Sequence, residues 1–158
     1  ISVALRALIE GVRPPDAVLA FYPALNVQEA LSPARFLSLM DPLLNMDILK
    51  CCVLCYKGNR PAADPLLSPV LAPDSLLARM PMTYLVGVAL DPLLDDTVQF
   101  ARRLKKLGRP FKVHLVNSLP HGFLSFKDVD AKTKAAHDHC LKWVQEAMAA
   151  DSSADPTE

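Results

Sequence analysis

The tetrapeptide Asp-Pro-Leu-Leu occurs three times in this chain, headed by Asp41, Asp64 and Asp91. A histidine, His121, sits between Pro120 and Gly122, and 30 residues separate it from Asp91. A carboxylate bonded to one ring nitrogen of a histidine fixes the tautomer and orientation of the imidazole. The other nitrogen can then take a proton from a hydroxyl nucleophile and return it to a leaving group. Which aspartate could act in this way depends on the elements that carry each one.

Those elements alternate between helix and strand. Ser2 to Glu10 has apolar residues at helical spacing and is closed by Gly11. The run "DAVLAFYP", from Asp16 to Pro23, is short and apolar, as expected of a strand buried on both faces. Leu31 to Cys55 is rich in leucine and methionine, and Asp41-Pro42 is the expected start of its helix, because aspartate caps and proline suits a first turn. Pro61 to Pro81 holds five prolines and reads as an irregular connector or a short helix flanked by turns. "MTYLVGVAL", from Met82 to Leu90, is the strongest strand. It is followed by a helix with Val98, Ala101 and Leu104 on one stripe, Arg102, Arg103, Lys105 and Lys106 largely opposite, and Gly108 as terminator. "FKVHLV", from Phe111 to Val116, is a third strand. Ala131 to Ala149 is an amphipathic helix anchored by Trp143, Val144 and Met148, and residues 150–158 are expected to be a disordered tail.

Helices between strands imply βαβ units, hence an α/β fold with a parallel sheet and helices on both faces. Three strands are fewer than the ~4–6 of a usual sheet, so the expectation for residues 1–149 is the C-terminal half of a larger domain. In such sheets functional groups gather where strands end. Asp91 follows the second strand directly, and His121 lies in the loop after the third. Asp41 and Asp64 follow no strand and read as helix caps or turn formers. Asp91 and His121 therefore match the last two members of the α/β-hydrolase order, nucleophile, then acid, then histidine.

Composition excludes several alternatives. With 17 basic and 17 acidic residues the net charge is zero, so no nucleic-acid surface is expected, and no uncharged run reaches the ~18 residues of a membrane span. Cys51, Cys52, Cys55 and Cys140 read as reduced thiols of the core. His137 and His139, two apart on a helix, diverge too far to complete a zinc site with them, so no metal or cofactor is expected. His114 alternates with Val113 and Leu115 and reads as a strand-face residue, and the basic helix face reads as solvated rather than lipid-binding. Asp91 and Asp95 are four apart, which rules out the phosphatase pair of acids one residue apart.

The segments "DPLLDDTVQFARRLKKLG" and "LPHGF", together with "LSPARFLSLMDPLL" and "LSPVLAPDSLLARMP", resemble the C-terminal catalytic half of the hormone-sensitive lipase family from about Ile1 to Trp143. The resemblance implies an α/β-hydrolase fold, with Asp91 as triad acid, His121 as triad base, and Gly122 and Phe123 in the histidine turn. It also implies hydrolysis of acylglycerols and cholesteryl esters in the cytoplasm and at lipid droplets. That family's serine lies in a Gly-x-Ser-x-Gly elbow and its oxyanion hole in a His-Gly-Gly-Gly stretch, and none of the five glycines here builds either motif. The chain opens on Ile1 rather than Met, so the expectation is that both lie upstream, in a missing N-terminal half. The long phosphorylatable segment of mammalian forms is replaced by "NRPAADPLL". The alternative expectation is a truncated, non-catalytic product that acts as an interaction module.

Overall fold

The structure is a computed structural model that describes residues 1–28, 32–37, 41, 43–126 and 128–151, the last two by backbone only. Its elements are α1 (Ser2–Glu10), β1 (Ala17–Phe21), α2 (Pro33–Leu37), α3 (Met46–Lys57), α4 (Asp74–Leu77), β2 (Met82–Val88), α5 (Leu94–Lys106), β3 (Phe111–Val116) and α6 (Ala131–Asp151). Short 3-10 turns occupy Pro69–Leu71 and Phe123–Phe126.

The three strands form one parallel sheet in the order β1-β2-β3. Each strand is separated from the next by helix, as a parallel connection requires. The register sets Val86 against Phe21 on one side, and Val88 against Val116 on the other.

β2 is central, and its side chains divide between two cores. Leu85 joins Leu5, Leu8, Phe100 and Leu104 on the face covered by α1 and α5. Tyr84, Val86 and Val88 join Phe123, Ala136, Cys140 and Trp143 on the face covered by α6. Burying one such leucine or phenylalanine contributes about 1.5–3 kcal/mol, so helices on both faces are needed to hold a strand this apolar. Gly87 permits the close approach of α5. A Cβ there would stand 2.9 Å from a Leu115 methyl, 3.2 Å from Leu94 and 3.3 Å from Thr97.

Four sequence expectations change. The helix expected from Asp41-Pro42 starts instead at Asn45, whose Oδ1 accepts the N–H groups of Asp47 and Ile48 at 3.1 and 3.0 Å. Cys51, Cys52 and Cys55 are exposed rather than core, and only Cys140 is buried. The cause is the narrow stripe by which α3 packs: Met46, Leu49 and Val53 meet Leu44 and Leu93, and the three cysteines lie off it. Met148, expected to anchor α6, is 71% exposed, whereas Trp143 is buried against Tyr84. α6 also continues through Ala150 and Asp151, two residues into the expected tail, and residues 152–158 lie outside the described residues.

Candidate active site

The site forms where β2 and β3 end side by side. Ala89 N–H donates to Val116 O at 2.9 Å, the last rung between the two strands, and both chains then turn away. Past β2 the chain folds into a turn in which Asp91 N–H donates to Val88 O, and Leu94 N–H donates to Asp91 O to open α5. Asp91 is 1% exposed. Past β3, buried Leu119 and Phe123 pin the loop to the α6 side of the sheet. Gly122 takes φ +75°, and a Cβ there would meet nothing within 4 Å, so the glycine answers to conformation rather than space.

These two turns bring the expected residues together. The Nδ1 of His121 lies 2.8 Å from Asp91 Oδ2, with the histidine side chain 25% exposed and the aspartate 1%. With Nδ1 donating to the carboxylate, the neutral ring carries its lone pair on Nε2. The pair thus has the geometry that can take a proton from a hydroxyl, with the resulting imidazolium held beside a buried carboxylate.

The aspartates of all three Asp-Pro-Leu-Leu segments make one common contact. Proline has no N–H, so the first donor after each aspartate is the leucine two residues on. Leu43, Leu66 and Leu93 N–H each donate to the Oδ1 of their aspartate at 2.8 Å. The second oxygen distinguishes them. Oδ2 of Asp64 meets Arg60 at 2.6 Å in a solvent-facing ion pair, and Oδ2 of Asp91 meets the His121 ring. Oδ2 of Asp41 accepts the main-chain N–H of His121 at 2.9 Å. Asp64 is thus a turn former as expected, whereas Asp41 forms a turn and also reaches the site.

Asp41 was missed as a neighbour of His121 because the contact spans 80 residues. The repeated tetrapeptide was the one available signal. Tyr22 was also missed. Its ring packs edge-on against His121, with centroids 4.6 Å apart, and against Phe123 at 5.8 Å. It adopts φ 39°, sparsely populated for a residue with a side chain, while its N–H donates to Val86 O at 2.7 Å. Burial, reinforced by Cys140 and Asp91, pushes its phenol pKa up.

The two acids that follow the third repeat tie down the loop after β1 and the start of α2. Asp95 Oδ2 accepts Ala34 N–H at 2.8 Å, and Asp96 Oδ2 accepts Leu25 and Asn26 N–H at 2.9 and 2.8 Å. Burial raises the Asp96 carboxyl above its usual range, against the opposing pull of Leu25 N–H, Arg35 and Asn26 N–H. His114 is a strand-face residue as read, stacked on His139 at 4.0 Å and lowered in pKa by burial and by that neighbour. In the basic face of α5, Arg103 pairs with Asp74 and with Val70 O.

An open, mainly apolar groove of about 340 Å³ is lined by Leu43, Leu119, Pro120, Phe123, Phe126 and Val129 with Asp130 and Thr133; it shares Pro120 with the loop that carries His121, and the histidine itself does not line it. Among the described residues no group of three or more His, Cys, Asp or Glu could hold a metal ion, and no helix is long and apolar enough to cross a membrane.

A three-stranded parallel sheet between helices, with an acid and a histidine at adjacent strand ends, defines the class. Residues 1–125 match the family described as alpha/beta hydrolase fold, and the chain belongs to it. Within that class it is similar to hormone-sensitive lipase of Mus musculus, at 48% identity over 82 residues, which are 52% of this chain and 11% of that protein. Among solved structures, carboxyl esterase 2 of Tuber melanosporum matches with a TM-score of 0.79 and 26% identity, over 86% of this chain and 46% of its own. A hormone-sensitive lipase from a metagenome library matches with a TM-score of 0.83 over 92% of this chain and 48% of its own; at 21% identity it shows the fold alone. The chain thus spans about a tenth of the mouse relative, and just under half of the solved structures.

Proposed function

We propose that this chain supplies the acid and base of a Ser-Asp-His ester hydrolase of the hormone-sensitive lipase kind, with the serine and oxyanion hole contributed by sequence preceding Ile1. The observation that carries the reading is the 2.8 Å contact between His121 Nδ1 and Asp91 Oδ2 at adjacent strand ends. In the reaction, His121 Nε2 takes the serine proton as Oγ bonds to the acyl carbon, and gives it to the departing alcohol as the ester C–O bond breaks and leaves an acyl-serine. Water then repeats the sequence and releases the fatty acid. The carboxylate of Asp91, 2.8 Å from Nδ1, stabilises the imidazolium.

The proposed substrates are acylglycerols and cholesteryl esters, met in the cytoplasm and at lipid-droplet surfaces. The apolar groove next to the loop of His121 suits an aliphatic chain, which supports a lipid-like substrate. The test is hydrolysis of a short p-nitrophenyl acyl ester by the chain joined to the nucleophile-bearing half. Turnover is expected, with its loss in His121→Ala, and no turnover by the 158-residue chain alone. Full activity in His121→Ala would refute the reading. Activity in neither form would favour the second one, a non-catalytic interaction module, to which the outer edge of β1, unpaired among the described residues, would offer a strand-pairing surface.

A further inference from the structure

We propose that Asp41 is a positioning residue for His121: it holds the histidine by its main chain while Asp91 holds it by its ring. The inference rests on the acid and base reading given above. Asp41 is 3% exposed, and its carboxylate accepts three backbone donors, Leu43 and Leu44 N–H at 2.8 and 3.0 Å on Oδ1 and His121 N–H at 2.9 Å on Oδ2. Only a carboxylate offers acceptors on both oxygens. An amide in its place would turn a donor toward either the leucines or the histidine.

His121 needs such a support because no regular element provides one. It lies five residues past β3 and before α6, its predecessor Pro120 has no N–H, and its successor Gly122 turns the chain with positive φ. The segment that carries Asp41 is itself fixed to the acid's turn, because Leu44 and Leu93 share a buried cluster with Leu49. Asp41 thereby couples the turn of Asp91, the loop of His121 and the start of α3. A catalytic histidine displaced by about 1 Å loses on the order of 10²-fold in rate, so a residue that fixes its main chain acts on turnover without touching substrate.

The experiment compares Asp41→Asn with Asp64→Asn in the enzyme that includes the nucleophile-bearing half. The Asp64 turn has the same tetrapeptide and the same Oδ1 contact but does not reach His121, so it controls for loss of a turn. We expect Asp41→Asn to lower kcat about 10- to 100-fold with KM within twofold, and to displace the His121 Nδ1–H proton resonance. Asp64→Asn should change neither. Asp41→Ser keeps one acceptor for the leucines and none for His121, and should act likewise if the asparagine variant does not fold.

Equal effects of the Asp41 and Asp64 variants, or an unmoved ring resonance in the Asp41 variants, would overturn the inference. If Asp91→Asn retains full turnover, the acid and base reading falls instead. The ring resonance, which needs no turnover, then decides by itself whether Asp41 holds the histidine.

Discussion

Replacing Asp91 by asparagine tests the site at its centre. In the folded chain Oδ1 of Asp91 accepts Leu93 N–H at 2.8 Å and Oδ2 faces His121 Nδ1 at 2.8 Å. An asparagine that keeps its carbonyl on Leu93 turns its NH2 toward Nδ1, which must then act as acceptor. The ring proton moves to Nε2, and the nitrogen that should take the serine proton already carries one. The shape is conserved, so stability should change by no more than about 1–2 kcal/mol, the scale of one altered buried hydrogen bond. Turnover should fall far more: about 10⁴-fold, as when a triad acid is exchanged for its amide, equivalent to about 5.5 kcal/mol at 1.36 kcal/mol per tenfold. The assay pairs kcat for a short acyl ester with a urea unfolding curve, on the chain joined to the nucleophile-bearing half proposed above. A loss below tenfold in a folded variant would show that the carboxylate does not set the tautomer. A loss explained by unfolding would reduce Asp91 to a structural turn.

Other substitutions probe the frame around it. Gly122→Ala places a side chain at φ +75° and should destabilise by about 1 kcal/mol, seen as a lower urea midpoint; an unchanged midpoint would mean the turn tolerates an alternative φ. Trp143→Ala should cost about 3–5 kcal/mol while Met148→Lys stays within about 0.5 kcal/mol, and similar melting shifts for both would contradict the packing of α6. In a native Ellman titration Cys51, Cys52 and Cys55 should react, whereas Cys140, buried and pushed up to about 11, should react only after unfolding. Asp96 has a raised carboxyl pKa, so the folded chain holds this proton more tightly than the unfolded chain does. Its contribution to stability is full below about pH 3.9 and is lost as pH rises toward the folded value. The stability of the wild type relative to Asp96→Asn should therefore fall from pH 4 to 6, and a constant difference would count against the shift.

What could be read from the sequence was whatever depends on local pattern. Continuous apolar runs marked β1, β2 and β3, and Gly11 and Gly108 marked helix ends, because burial and backbone conformation impose those residue types directly. The meeting of Asp91 and His121 was legible too, since parallel pairing sends adjacent strand ends to the same edge. Illegible were the contacts that depend on where distant loops fall. The second oxygen of Asp41 looks like that of Asp64 until the chain folds. The exposed cysteines of α3 and Met148 of α6 failed for another reason. Apolar character permits burial, but only a facing element makes it happen, and α3 meets its neighbours along one narrow stripe.

The two carboxylates that hold His121 also imply an order of assembly. Asp91 is 30 residues from the histidine along the chain and Asp41 is 80. For a disordered chain, closing the longer loop costs about 0.9 kcal/mol more, from (3/2)RT ln(80/30). The ring should therefore dock on its acid before the main chain is secured. The amide proton of His121, bonded to Asp41 alone among the described residues, would be among the last in this region to gain protection in pulsed hydrogen exchange. Protection of that amide ahead of the β2–β3 rungs would reverse the order.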